Sequence, residues 1–333
     1  MNKRVLRADL LLLLTAAIWG FGFVAQRYGM EYVGPFTFNG IRFILGSLSL
    51  LPLILWRNRG KKRKAGERKN LFFASVLAGT FLFVAVSLQQ LGLITTTAGN
   101  AGFITGLYVI FTPIFGIFLG RKTGSPTWLG AALTFTGLYF ISSTGRLSDL
   151  NPGDIIVAIG AMFWAFHVLI IDRLVQKNDP VTLACGQFAV AGLFALAAAF
   201  LIEPLLSIWL GTLNPQLHFS GLFTWYSLPA LISGLAYGTI PVTLVSSALI
   251  PILYGGLISV GIGFTLQAVA QRDAPPAHAT IILCLEGSFA ALGGILLLSE
   301  PLGSRTIIGF ALMLLGMLIS QWELISSKTR SLQ

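Results

Sequence analysis

The chain has 333 residues, of which 55% are hydrophobic and only 10% charged, and its mean hydropathy is +0.82. A soluble domain carries about a quarter charged residues, so this chain cannot keep its surface in water, and no segment between its apolar runs is long and polar enough to form a soluble domain. The net charge of +10 does not point to nucleic acid, because eight basic residues crowd between Arg57 and Lys69 at the end of an apolar run, where they read as a topology signal and a contact for anionic membrane lipid.

In chain order, runs close to the ~20 residues that cross a bilayer predict helices over 10–28, 36–56, 71–91, 98–119, 127–143, 154–173, 181–202, 249–270, 277–298 and 304–323. Lys3, Arg4 and Arg7 precede the first run as they would in a signal peptide. The run continues through Trp19 to Ala25 without a small-x-small cleavage pattern, so it is expected to stay in the mature protein. The fourth run holds Gly99, Gly102, Gly106, Pro113, Gly116 and Gly120. Small residues there allow close helix packing, and Pro113 also weakens the hydrogen-bond ladder, so Pro113 with Gly116 reads as a hinge or as a packing face. Residues 203–248 contain no lysine or arginine; Trp209, Phe219, Phe223, Trp225 and Tyr226 suit a membrane interface, and four prolines break the stretch into short pieces. It reads as a lid, an interfacial decoration or an extra pair of spans. Cys185 and Cys284 fall inside apolar runs and read as small buried hydrophobes, and no His/Asp/Glu spacing suggests a metal site.

The two parts of the chain resemble each other. Residues 9–43 align with 154–188 at a constant offset of 145, pairing Asp9 with Asp154, Trp19 with Trp164, Pro35 with Pro180 and Phe43 with Phe188. Later the offset becomes 179, pairing Leu119 with Leu298, Gly130 with Gly309 and Gly137 with Gly316, which locates an insertion of 34 residues between the seventh and eighth spans. Five spans per copy is an odd number, so the second copy must insert upside down. The expected fold is an all-α polytopic membrane protein: ten transmembrane helices as two inverted five-helix repeats, 1–150 and 151–333, the second carrying an external insertion within 203–248. With the N-terminus in the cytoplasm, 18 basic residues lie inside and three outside, which predicts both termini cytoplasmic in a plasma or bacterial inner membrane. Inverted repeats of this kind suit a carrier that rocks about a midplane site.

Several local patterns converge on one resemblance. Ala17-Ile18-Trp19-Gly20, Gly40-Ile41-Arg42-Phe43, Phe111-Thr112-Pro113, Leu285-Glu286 and Leu298-Ser299-Glu300 occur in the order seen in EamA-type members of the drug/metabolite transporter superfamily, which the chain resembles over nearly its whole length. The resemblance implies a ten-helix exporter of small organic molecules. The chain departs from the family pattern at Glu286-Gly287, where a proline often follows the glutamate, at Ala165 where the first helix has Gly20, and in the insertion.

Glu286 is the sharpest candidate for function. A carboxylate in an apolar run must face a cavity, pair with a cation or hold a proton, so Glu286 reads as a substrate sensor or proton-coupling group, or else as a helix–helix hydrogen bond. Arg42 lies seven residues into its span and is expected toward the interface as a structural charge. Trp19 and Trp164 are expected on opposite walls of a central cavity, or in the core. Gln89, Tyr108 and Gln267 extend the substrate or proton pathway. His167, one turn beyond Trp164, reads as a satisfied core group. The chain carries no G-x-x-x-x-G-K-[ST] loop and none of the common intramembrane hydrolase motifs, so neither a primary pump nor an enzyme is indicated, and no cofactor is expected. The leading expectation is secondary export of small metabolites, amino acids or drugs by alternating access, with a lipid flippase or scaffold subunit as the alternative. The glycine faces of the fourth, fifth, ninth and tenth helices suit a homodimer as well as intrachain packing.

Overall fold

The computed structural model describes residues 3–30, 33–57, 59, 65–96, 98–142, 152–203, 205, 249–298 and 303–330; the expected external insertion lies almost wholly outside them. Counting a broken helix once, the described residues form ten helices: α1 (Lys3–Gly29), α2 (Pro35–Arg57), α3 (Ala65–Gly92), α4 in two pieces (Ala98–Thr105 and Tyr108–Phe118), α5 (Ser125–Ser142), α6 (Pro152–Leu174), α7 (Pro180–Leu201), α8 (Leu249–Ala270), α9 in two pieces (Pro276–Leu283 and Leu285–Leu298) and α10 (Ser304–Arg330). Each covers one of the predicted runs. Four begin at prolines (Pro35, Pro152, Pro180 and Pro276), which suits a first helical position where the N–H would be unbonded anyway. Six of them, α1, α2, α3, α6, α7 and α8, are long and apolar enough to cross a membrane by themselves.

Polarity is arranged for lipid. Leucine, isoleucine and phenylalanine side chains such as Leu10, Phe72, Phe73, Phe200, Leu201 and Leu318 point outward, while the interior is rich in alanine and polar groups. Lipid gives no hydrophobic incentive to bury leucine, so close contact between small residues holds the helices together. At the α5–α10 crossing, a side chain at Gly130 would meet the Gly316 carbonyl and one at Gly137 would meet the Gly309 carbonyl. These glycine faces are therefore used within the chain, and the crossing is antiparallel.

The other main packing pairs are α2 on α7, α3 on α6 and α7, α1 on α8 and α9, and α4 on α6. Their contacts give direction. Ser47 Oγ donates to the Cys185 carbonyl at 3.0 Å, while a side chain at Gly40 would meet Leu196, so α2 and α7 run antiparallel. Asp9 and Gly20 of α1 meet His278 and Phe289 of α9, so those two run parallel.

Two local irregularities shape the centre. Both α4 and α9 are broken, at Gly106–Leu107 and at Cys284, and the two breaks face each other, with Cys284 Sγ donating to the Gly106 carbonyl at 3.4 Å. The break in α4 is therefore not at Pro113, which sits inside the continuous second piece. The second irregularity is a π-helical stretch in α8, Tyr254–Phe264, whose four glycines permit the wider winding.

Candidate functional site

The two interrupted helices, the π-helical stretch, α1, α2, α3 and α6 enclose a central cavity. Among its lining residues are all five pathway residues named with Glu286 (Trp19, Trp164, Gln89, Tyr108 and Gln267) together with Glu286 itself. The space is narrow, roughly 30 Å3, which is room for a water or two.

Glu286 is the second residue of the second piece of α9 and is 5% exposed. The phenol of Tyr108, which begins the second piece of α4, donates to Glu286 Oε1 at 3.4 Å, so residues just after the two breaks are joined across the cavity. α1 approaches here as closely as backbone allows. A side chain at Gly20 would overlap Phe289 and the Glu286 carbonyl, which explains why this position is glycine while Ala165 suffices in α6.

The walls are aromatic. Trp19 and Trp164 face each other with ring centres 6.2 Å apart, and Phe43 and Phe188 meet at the same separation of 6.2 Å. Phe264, at the end of the π-helical stretch, touches all four: 4.4 Å from Trp19, 5.8 Å from Trp164, 5.9 Å from Phe43 and 6.0 Å from Phe188. Hydrogen bonds fix the indoles. Trp164 Nε1 donates to Gln89 Oε1 at 2.8 Å, and Trp19 Nε1 donates to the Ser259 carbonyl at 3.2 Å. Without those partners, each buried indole N–H would cost about 1–3 kcal/mol.

Arg42 is buried inside the protein. It is 3% exposed and lines the cavity, with its guanidinium carbon 5.1 Å from the Phe43 ring centre and 5.4 Å from that of Phe38. Pro113 and Gly116 do not line the central cavity. They line a separate cleft of about 260 Å3 with Arg121, Lys122, Leu169 and Ala277, at the end of the bundle where the basic residues gather. His167 bonds through Nε2 to Gln187 at 2.9 Å, while its buried Nδ1 has no partner, so the expected core histidine is only half satisfied.

Three groups at the ends of the bundle carry little sequence signal. At the basic end, His278 bridges α1 and α10, with Nε2 2.9 Å from Asp9 Oδ1 and Nδ1 2.9 Å from Ser320 Oγ. Also at that end, Arg121 pairs with Asp172. At the opposite end, Glu203 just beyond α7 accepts the N–H groups of Phe36 and Thr37 at 3.0 and 3.2 Å and the Thr37 hydroxyl at 2.5 Å. It thereby caps α2 from another helix, where a side chain at Gly34 would occupy the same space.

The EamA-like transporter family model matches residues 6–143 and again 207–322. The chain belongs to the EamA-like transporter family. It is an integral membrane transporter and not an enzyme, as its relatives indicate throughout. An uncharacterized transporter of Archaeoglobus fulgidus is 29% identical over 316 residues, covering 94% of this chain and 85% of that protein. The Bacillus subtilis transporter YwfM is 24% identical over 93% of this chain and 92% of its own length. The Escherichia coli inner membrane transporter YedA is 27% identical over 192 residues, 55% of this chain and 59% of its own length. A solved crystal structure superposes with a TM-score of 0.66 over 94% of this chain and 96% of that one; at 14% identity it shows a shared fold alone.

Proposed function

We propose that this protein is a secondary active transporter that exports small organic solutes (metabolites, amino acids or drugs) by alternating access through the central cavity. In this reading the ten helices all cross the membrane as two inverted five-helix repeats, 1–150 and 151–333, with both termini cytoplasmic and the insertion within 203–248 outside.

The observation that carries the proposal is the meeting of two interrupted helices, α4 and α9, at a polar cavity containing Glu286. An interrupted helix in hydrocarbon exposes backbone groups that only a cavity or neighbouring protein can satisfy, and midplane sites of carriers are built from such interruptions. The offset of 179 makes Gly106 equivalent to Leu285 and Leu107 equivalent to Glu286, so the break in α4 falls just beyond the point equivalent to the break at Cys284. The pairing of helices supports the inverted arrangement as well. Exchanging each helix with its partner five places on leaves the contacts α2–α7 and α5–α10 in place and turns α3–α6 into α8–α1 and α1–α9 into α6–α4, all of which occur.

Within this frame Glu286 meets the substrate or a coupling proton, Tyr108 holds its carboxyl, Trp19 and Trp164 form the opposing walls, Gln89 fixes Trp164, and Gln267 offers an amide to the cargo. The hinge belongs at the breaks, with Pro113 and Gly116 shaping the cleft at the basic end. The test compares extracellular metabolites from cells producing the wild type or Glu286→Gln. A solute raised by the wild type alone, and exchanged in counterflow by the purified protein in liposomes, supports export. Movement of head-group-labelled lipid without solute counterflow would replace this reading by a flippase.

A further inference from the structure

The cleft at the basic end of the bundle lies apart from the cavity that holds Glu286. Its roughly 260 Å3 are lined by Arg121 and Lys122 and, among the described residues, by no carboxylate. The local backbone sets Arg121 there. α4 closes on Gly120, whose φ of 75° is left-handed. In that turn the Gly120 N–H donates to the Ile117 carbonyl and the Arg121 N–H to the Gly116 carbonyl, both at 2.9 Å. The chain thereby folds back on α4, and a side chain at Gly116 would lie 3.7 Å from Arg121 Cβ.

Other donors on the same cleft have no acceptor. Thr112 is 1% exposed, lines the cleft, and its hydroxyl has no hydrogen-bond partner. Three helical threonines elsewhere, Thr15, Thr80 and Thr136, donate to the carbonyl four residues back; Thr112 does not. α9 starts on the cleft wall with Pro276 and Ala277. No side chain caps this eight-residue piece, and its first bond runs from the Ala279 N–H to the Pro275 carbonyl at 2.8 Å. The Ala277 N–H is therefore left without a helical acceptor, at the end of the helix that favours negative charge. Arg121 gives one nitrogen to Asp172, while its buried Nε has no partner.

A guanidinium, an ammonium, a hydroxyl and a helix-end amide thus share one cleft that is roomy enough for a small anion. Donors of such different kinds suit an acceptor with several oxygens, as phosphate has at other helix starts. We propose that this cleft binds a phosphate-type oxyanion through Arg121, Lys122, the Thr112 hydroxyl and the Ala277 N–H. A phospholipid head group and a soluble phosphate carry the same chemistry. The site stands whether or not the central cavity exports a solute.

The test titrates the full-length protein in neutral detergent with sodium phosphate, against sodium chloride at equal ionic strength. A second arm uses phosphatidylglycerol against phosphatidylcholine, and both arms read the melting temperature. A saturable rise is expected with at least one phosphate probe. Its half-point should move about 10-fold higher in Lys122→Gln, which removes a charged donor, and about 3- to 10-fold higher in Thr112→Val, which removes a neutral one. Arg121 is left intact because it also holds Asp172. Lys122 is exposed and the Thr112 hydroxyl has no bond to lose, so both variants should melt near the wild type without a probe. If valine packs badly at 112, Lys122→Gln alone decides.

A rise with inorganic phosphate assigns a soluble ligand; a rise with phosphatidylglycerol alone assigns a lipid head group. The variants also separate this cleft from the basic cluster between Arg57 and Lys69, which contains neither residue. No saturable rise with either probe overturns the proposal, as does a half-point that stays in place in Lys122→Gln or in a well-folded Thr112→Val.

Discussion

The two halves of the bundle share a skeleton and differ in charge. Trp19 and Trp164, Phe43 and Phe188, and the glycine pairs of α5 and α10 sit at equivalent positions and meet one another at the centre or along the crossing. Three charged positions have no such match: Arg42 corresponds to Gln187, Glu286 to Leu107, and the helix-capping Asp179 to Gly34, whereas Asp9 is matched by Asp154. Where the halves agree, the residues pack backbone on backbone or ring on ring, interactions that must survive if two similar units are to exchange roles. Where they disagree, the residues face the cavity or a helix end. The matched Trp19 and Trp164 line the cavity as well, so the halves differ there in charge and agree in their rings.

The caps of α2 and α7 make the difference concrete. α7 has its own cap: Asp179 accepts the Thr182 N–H at 3.0 Å and hydroxyl at 2.8 Å and pairs with Arg57 at 3.0 Å. Although burial opposes it, the bonds from Thr182 and the Arg57 charge hold the Asp179 carboxyl below its usual range. α2 has glycine at that point and borrows the Glu203 carboxylate from the end of α7. Both junctions join the two repeats, one through the Arg57–Asp179 ion pair beside a local cap and the other through the borrowed cap itself.

The largest expected effect on this comparison comes from Glu286→Gln, which removes the charge that Leu107 lacks. Counterflow should drop to the level of protein-free liposomes while the protein still inserts, as read by size exclusion. Retained transport at the wild-type rate would make Glu286 a packing group. Next is Glu203→Ala, which strands three donors at the start of α2 and should lower stability by about 1–3 kcal/mol, measured by thermal or denaturant unfolding in detergent. Asp179→Ala should cost less, about 1 kcal/mol, as a lost N-cap does. Because the folded Asp179 carboxyl titrates below its ordinary value of 3.8, its contribution is present above that value and disappears as the pH falls through the folded one. The wild type and Asp179→Asn should therefore differ at neutral pH and converge in acid. If Glu203→Ala proves no costlier than Asp179→Ala, the borrowed cap carries no special weight.

Much of this was legible in sequence. Ten apolar runs at bilayer length gave each helix, and the repeat placed Trp19 opposite Trp164 before any contact was known. The broken helices were not, because the runs through Thr105–Tyr108 and Leu283–Glu286 remain apolar across the breaks, while Pro113 drew attention to a place where the helix continues. The burial of Arg42 is not legible either, because its distance from the helix start does not say which neighbours cover it. In the Asp9–His278–Ser320 cluster, His278 bonds directly to a residue 269 positions away, beyond any spacing rule. Phe264 carried no signal, since one phenylalanine in an apolar run looks like any other. Polar residues in that run, such as Gln267, were the available hint that this stretch of α8 turned inward.

The central claim is that a single cavity opens to each side of the membrane in turn. It is tested most directly by placing one cysteine at Thr105, on the cavity wall, in a chain whose Cys185 and Cys284 are replaced by alanine, and treating oriented vesicles with a membrane-impermeant thiol reagent from either face. The account predicts labelling from both faces, slowed on both by a transported solute. Labelling confined to one face under every condition would contradict it.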